Sequence, residues 1–205
     1  MKLEVPFYPM PMEHQNYCGQ YVLKPIFKYF LDKEFDLEYL SKISEKSDKG
    51  FTLTLGLAYA GLREGLKVKF ITTSAELVSS EGVPDFEKYH PDKKLSEVQL
   101  LANKLLDKSK ELGMIFEVRK PGIEELIEQI NLKRLIIALI DYGKIYNVDK
   151  QIFHFVLLTG YDDNHIYFHD VGPKDPTANK SVDRNLFYKA WSAIGTDMDT
   201  AIFSN

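Results

Sequence analysis

The sequence has little of what would cross-link the chain, hold it in a membrane or bind it to nucleic acid. It contains a single cysteine, which excludes an intrachain disulfide framework, a cysteine-rich zinc site and a CxxC redox pair. The 26 basic residues are outnumbered by 30 acidic ones, and the net charge of −4 argues against a general nucleic-acid binder. The most apolar runs, 135–140 and 152–158, are too short to cross a bilayer, which needs about 20 residues.

Targeting signals and ligand-binding motifs are also missing. Three prolines interrupt residues 1–11, and no apolar stretch there is long enough for a signal peptide. We therefore expect a soluble, cytoplasmic protein with a reduced thiol and with no membrane or nucleic-acid partner. Phosphate loops, dinucleotide fingerprints and metalloprotease motifs are absent, and His165 and His169 lie too far apart on a strand for easy chelation. No metal site and no cofactor are predicted.

What is present predicts one folded α+β domain. Hydrophobic residues make up 44% of the chain and charged residues 27%, which is ordinary for a globular protein. No repeat or Pro/Gly-rich linker divides residues 1–205, so we predict a single domain. Helical periodicity dominates the first part and antiparallel strand patterns the second, which favours α+β over a doubly wound sheet. The predicted helices cover about 17–31, 36–44, 53–64, 95–112, a segment opened by Pro121 at its first position, and 183–191; the predicted strands cover 67–72, 114–118, 135–141, 153–160, 165–170 and 200–203.

The single cysteine is predicted at a helix start, where a thiol can be activated as a nucleophile. Cys18 is predicted in the first turn of the first helix, where the helix dipole lowers a thiol pKa and unpaired N–H groups can receive an oxyanion. Gly19 removes a Cβ beside the sulfur, so that a substrate backbone can approach. The structural alternative is that Cys18 is a small buried hydrophobic residue, as most unpaired cysteines are.

A downstream hairpin supplies the partners that a nucleophilic cysteine needs. Residues 161–164 are typical of a tight turn between two strands. If the turn is centred on Asp162, His154 lies opposite Asp170 on the same face of the sheet. A carboxylate at that distance can fix the tautomer and orientation of an imidazole. The alternative is a structural histidine with no catalytic role.

These blocks resemble a known family. Val5–Pro6–Phe7–Tyr8, Asn16–Tyr17–Cys18–Gly19 entering a helix, residues 154–162 and the later Asp170 look like papain-fold cysteine peptidases. The most similar group is the bacteriocin-processing peptidases that cleave double-glycine leader peptides, together with their stand-alone relatives. The resemblance implies a papain-like fold with N-terminal helices packed on a mainly antiparallel sheet. It also implies that Cys18 is the nucleophile, His154 the general base and acid, and Asp170 the orienting carboxylate.

The sequence departs from this family at the oxyanion hole. The family usually has a glutamine about six residues before the cysteine, and Met12 occupies that position. Gln15 is the nearest glutamine, so we assign the oxyanion hole to Gln15 and the Cys18 backbone. Loss of one oxyanion donor typically lowers the rate ~10²–10³-fold. Residues at about 73–112 are also expected to be an insertion relative to a minimal peptidase domain.

The resemblance and the residues together predict a cysteine hydrolase. It would cleave a peptide or amide bond through Cys18, His154 and Asp170, with an acyl-enzyme intermediate. Its partner would be a peptide or amide substrate, and the double-glycine preference is not carried over. Two alternatives stay open: an acyl or amide transferase with the same three residues, and a catalytically inactive peptide-binding module.

Overall fold

The secondary structure alternates helices and strands along the chain. The computed structural model describes residues 1–48, 50–77, 95–172 and 174–205. The α-helices in these ranges are α1 (Cys18–Leu31), α2 (Leu37–Ile43), α3 (Thr54–Arg63), α4 (Leu95–Glu111), α5 (Ile123–Asn131), α6 (Tyr142–Tyr146) and α7 (Arg184–Trp191). The strands are β1 (Lys67–Thr72), β2 (Ile115–Val118), β3 (Leu135–Asp141), β4 (Phe153–Tyr161), β5 (His165–Asp170), β6 (Thr177–Asp183) and β7 (Thr200–Ser204).

All seven strands form one sheet in the order β2-β1-β7-β3-β4-β5-β6. Among the described strands, β1 and β2 alone pair in parallel, and the other pairs are antiparallel. The predicted α+β class with a mainly antiparallel sheet is therefore confirmed. Strand β3 has nearly continuous burial because it lies in the middle of the sheet with both faces covered.

Helix α1 carries its first residue to the sheet because its apolar side packs inward. Val22, Ile26 and Phe27 are fully buried, at the three- and four-residue spacing that places them on one side of a helix. This side contacts β4 and α3. Helix α3 in turn lies close to β7, where a Cβ at Gly61 would be 2.6 Å from the Phe203 ring. The N-terminus of α1 is thereby fixed beside the start of β4.

The structure contains elements that were not predicted, and the predicted start of α5 was wrong. Strand β6 and the short helix α6 both lie in segments that the sequence analysis left without structure. Pro121 does not open α5, because Gly122 is the N-cap and the helix begins at Ile123. Among the described residues, no helix is long and apolar enough to cross a membrane.

The expected insertion at about 73–112 lies between the two parallel strands. Residues 78–94 of it fall outside the described residues. Helix α4 lies within it and packs on α3 with Val98, Ala102 and Leu105 buried. A parallel pair needs a crossover of a dozen or more residues, usually helical, and this segment connects β1 to β2. That the segment is an insertion remains a prediction.

Candidate active site

The fold brings together the three residues that the sequence predicted as catalytic. Cys18 is the first residue of α1, His154 lies near the start of β4, and Asp170 ends β5. Cys18 is half-buried, His154 is 8% exposed and Asp170 is fully buried. The Cys18 thiol and the His154 imidazole lie close enough for each to shift the pKa of the other, and His154 Nε2 lies 3.5 Å from Asp170 Oδ1. The histidine therefore lies between the thiol and the carboxylate.

The electrostatics of the pair favour its charged form. Burial raises the pKa of the Cys18 thiol, but His154 and backbone hydrogen bonds from Phe155 and Gly19 outweigh this effect and lower it overall. Burial likewise lowers the pKa of His154, but Asp170 and Cys18 outweigh it and raise the pKa to about 9. A lowered thiol pKa beside a raised imidazole pKa favours a thiolate–imidazolium ion pair.

The strand register that was predicted for His154 and Asp170 is wrong, although the two side chains do meet. Leu157 pairs with His169, and the register shifts between Leu158 and Gly160. Extending the Leu157–His169 register places residue 172, not Asp170, opposite His154. Tyr161 pairs with Ile166, so the turn itself is centred between residues 163 and 164, where the Asp162 carboxylate accepts the N–H groups of Asn164 and His165. Beyond the irregularity between Leu158 and Gly160, the register of the two strands is centred one residue later than Asp162.

This shift keeps the two side chains on the same face. Moving the centre of a hairpin by one residue moves each partner by two, and side chains alternate with a period of two. Asp170 is therefore a diagonal neighbour of His154 rather than its direct partner. Diagonal neighbours lie within reach of long side chains.

Several donors that the sequence analysis missed hold the Asp170 carboxylate. Oδ2 accepts hydrogen bonds from the Tyr142 hydroxyl at 3.0 Å, the Tyr146 hydroxyl at 2.7 Å and Lys180 Nζ at 3.1 Å. Oδ1 accepts the Gly172 N–H at 3.0 Å. Tyr142 and Tyr146 lie on α6, and Lys180 lies on β6. Neither element was predicted, and for that reason these partners could not be found from the sequence.

Tyr142 also covers the imidazole. Its ring packs edge-on against the His154 ring, with the centroids 4.8 Å apart. Because Nε2 is the ring nitrogen that faces Asp170, Nδ1 is the one available to Cys18. His154 Nε2 has no hydrogen bond of good geometry with any described residue, so the approach to Asp170 is an ion-pair contact.

Gln15, to which the sequence analysis assigned the oxyanion hole, lies at the cavity beside Cys18, and this assignment remains a prediction. Met12 lies in a short 3₁₀-helix, Met12–His14, and is 56% exposed. Gln15 follows this helix and lines the same cavity as Cys18. Gln20 is committed elsewhere, because its Nε2 donates to Ser44 at 2.9 Å and to Thr52 at 3.0 Å. Gln15 is therefore the glutamine with access to the cavity beside the thiol.

The cavity beside Cys18 has a volume of about 260 Å³. Its walls are mainly apolar, and two carboxyl groups, Asp197 and Asp199, lie at its lining. The apolar lining residues are Leu53, Leu77, Val98, Leu139, Phe153 and Phe155. Within the described ranges, no group of three or more histidine, cysteine, aspartate or glutamate side chains could hold a metal ion. His165 instead contacts Asp162, and His169 contacts the Val5 carbonyl oxygen.

Solved structures share this architecture along the whole chain. The fold is the papain-like peptidase fold. A protein described as a C39-like peptidase from Bacillus anthracis aligns with a TM-score of 0.56 and 14% identity, covering 100% of this chain and 98% of that one. The peptidase domain of Streptococcus ComA, a bifunctional ABC transporter of a quorum-sensing pathway, aligns with a TM-score of 0.51 and 16% identity, covering 98% and 97%.

The sequence itself gives the family. The model of the Peptidase_C39 like family matches residues 43–187, and the chain belongs to this family. This confirms the resemblance noted from the sequence. The matched range includes His154 and Asp170 and begins after Cys18. No curated protein matches the chain.

Proposed function

We propose that the protein is a cysteine hydrolase that cleaves a peptide or related amide bond. The observation that carries the proposal is the contact chain from Cys18 through His154 to Asp170, with a lowered thiol pKa at one end. Membership of the Peptidase_C39 like family and the adjacent cavity support it.

In the first half of the reaction, the Cys18 thiolate attacks the carbonyl carbon of the scissile bond. A C–S bond forms, and the carbonyl electrons move to oxygen. The Gln15 side chain and the Cys18 backbone N–H stabilise this oxyanion. The tetrahedral intermediate then collapses, the C–N bond breaks, and the His154 imidazolium gives its proton to the leaving amine.

In the second half, water hydrolyses the acyl-enzyme. Neutral His154 accepts a proton from the attacking water and keeps it, and the sulfur departs as a thiolate when the C–S bond breaks, so that the thiolate–imidazolium pair is restored. Asp170 holds the ring in place and stabilises its charge. The hydroxyls of Tyr142 and Tyr146 fix the carboxylate in turn.

Thiol alkylation tests the activated pair directly, because Cys18 is the only cysteine. The rate of modification by iodoacetamide is measured at pH 6 and pH 8 by intact-mass spectrometry. For an ordinary thiol of pKa about 8.5, the fraction present as thiolate falls roughly 75-fold from pH 8 to pH 6. The alkylation rate of the wild type should fall far less between pH 8 and pH 6, because His154 lowers the pKa of the Cys18 thiol. His154→Ala should recover the ordinary profile, whereas His165→Ala, at a half-exposed histidine on β5, should not.

Two results would contradict the proposal. One is an ordinary thiol profile in the wild type, and the other is an identical profile in wild type and His154→Ala. Turnover is tested separately by incubating the protein with a mixture of synthetic peptides. New peptide termini should appear with the wild type and not with Cys18→Ala.

A further inference from the structure

The cavity beside Cys18 contains a carboxyl group that the proposed chemistry does not use. Asp199 precedes β7 and is 9% exposed. Its Oδ1 has no hydrogen-bond partner among the described residues. A buried carboxyl oxygen normally has a partner, because its desolvation is otherwise uncompensated. The position of Asp199 at the cavity lining offers a place where a ligand would supply that partner.

The backbone fixes this side chain at the cavity. The Asp199 N–H donates to the Thr196 carbonyl oxygen at 2.9 Å, and its own carbonyl oxygen accepts the Leu139 N–H at 3.1 Å. The two preceding residues, Asp197 and Met198, have left-handed backbone, with φ of 50° and 48°. This tight turn delivers the carboxyl to the cavity lining with its main-chain groups already paired.

The remainder of the cavity suits a long side chain with a charged end. Its walls include Leu139, Phe153 and Phe155, which can cover an aliphatic stem. Among the described residues that line the cavity, none is a lysine, arginine or histidine, and the ionisable ones apart from Cys18 are Asp197 and Asp199. Lysine and arginine combine an apolar stem with a cationic end, and therefore match both parts of this lining.

The protonation behaviour of Asp199 agrees with such a ligand. Burial and, next, the charge of Asp197 raise the pKa of Asp199 to about 8, although the Thr72 and Thr54 hydroxyls lower it in part. Without a neighbouring cation the carboxyl therefore keeps its proton near neutral pH. A cation within hydrogen-bond distance reverses this balance and favours the ionised form.

We propose that Asp199 is a specificity-determining residue that selects substrates with a lysine or arginine side chain. The aliphatic stem lies along the apolar wall, and the cationic end pairs with the Asp199 carboxylate. This inference rests on the proposed function, because it assigns a side chain to the substrate of the same site.

Matched peptide aldehydes test this selection without requiring turnover. Three pairs of tripeptide aldehydes are used, each with lysine or norleucine at one of the three positions and alanine at the other two. Norleucine keeps the aliphatic stem and lacks the charge. The readout is the peptide concentration that halves the rate of Cys18 alkylation by iodoacetamide. In at least one pair, the lysine member should protect wild type at an about tenfold lower concentration, as expected for one well-placed buried ion pair.

Variants then assign this preference to Asp199. Asp199→Asn, which keeps the shape of the side chain, should bring the two members of that pair within about threefold while protection by the norleucine member persists. Asp197→Asn should lower the preference less, because that carboxyl is half-exposed. If a variant fails to fold, the comparison of the lysine and norleucine peptides on the wild type still shows whether the site prefers a cationic side chain.

The outcomes separate the two proposals. Protection by lysine and norleucine members at equal concentrations in all three pairs overturns the selection by Asp199 and leaves the hydrolase proposal intact. A lysine preference that persists in Asp199→Asn also overturns the selection by Asp199 and leaves the hydrolase proposal intact. Protection by none of the six peptides overturns the hydrolase proposal, and the selection with it.

Discussion

The two buried carboxylates near the candidate site, Asp170 and Asp199, differ in how they are satisfied. Asp170 is fully buried and accepts hydrogen bonds from two tyrosine hydroxyls, a lysine and a backbone N–H. Asp199 is nearly as buried, but its Oδ1 has no hydrogen-bond partner among the described residues. The environment of the first stabilises a negative charge, whereas that of the second opposes one.

This difference separates a carboxylate that organises the protein from one that is suited to a ligand. A carboxylate with four donors has its charge compensated within the chain, so that it can orient His154 whether or not substrate is bound. A buried carboxyl that lacks a hydrogen-bond partner is stabilised most when a ligand supplies a donor. The contrast predicts that substitutions at the two positions have different consequences, and each prediction below tests one side of it.

The largest effect is expected at Asp170. Asp170→Ala leaves Lys180 and two tyrosine hydroxyls without their common acceptor and His154 without its ion-pair partner. Breaking a buried ion pair on one side costs about 3–5 kcal/mol. The free energy of unfolding measured in urea at pH 7 should fall by that amount. Asp175→Ala is the matched control, because Asp175 contacts the same Lys180 at 3.7 Å but is 73% exposed. It should cost less than about 1 kcal/mol. Equal losses in the two variants would show that Asp170 is not the organising acceptor.

An intermediate, pH-dependent effect is expected at Asp199. The folded chain keeps this proton up to about pH 8, whereas the unfolded chain loses it near pH 4. Between these values the unfolded state binds fewer protons, so this group lowers the stability as pH rises. The stability of Asp199→Asn relative to wild type should therefore increase by up to about 2.7 kcal/mol from pH 5 to pH 7. Urea unfolding at several pH values measures the difference. A difference that does not change with pH would mean that Asp199 ionises normally in the folded protein.

The smallest effect is expected at Thr54, a second polar group at the cavity lining. Its hydroxyl is buried near the Asp199 carboxyl but makes no hydrogen bond of good geometry with any described residue. Replacing an unpaired buried hydroxyl by a methyl group of similar shape is nearly neutral or stabilising. Thr54→Val should therefore change the unfolding free energy by less than about 1 kcal/mol. Thr196→Val is the contrasting variant, because the Thr196 hydroxyl donates to the Ala193 carbonyl oxygen at 2.9 Å. It should be the more destabilising of the two, and the reverse order would contradict the unpaired state of Thr54.

The periodic elements of the fold could be predicted from the sequence, and the irregular ones could not. Strand β1 and strand β3 were predicted with the bounds that the structure gives, because their apolar residues are continuous or alternate regularly. Strand β6 has no such pattern, since it lies at the edge of the sheet and most of its residues are partly exposed. Helix α6 has only five residues, too few to show a helical period.

The candidate site was predictable for a related reason. Cys18, His154 and Asp170 could be named because a helix start and a hairpin carry recognisable signals. The register between β4 and β5 could not, because the turn and the irregularity near Thr159 depend on local hydrogen bonds rather than on composition. Asp199 had only a weak signal, an acidic residue immediately before a buried strand. Its role depends on a cavity whose walls come from distant parts of the chain.

The distance along the chain between Cys18 and His154 has a consequence for the order of events during synthesis. Cys18 leaves the ribosome early, on α1, and is then an ordinary thiol, because the residues that lower its pKa are still to be made. Only when β4 pairs in the sheet and packs against α1 do His154 and the Phe155 backbone reach the sulfur. The nascent chain therefore carries no activated nucleophile until β4 has been synthesised and packed against α1. The reactivity of Cys18 at low pH would accordingly report the packing of β4 against α1.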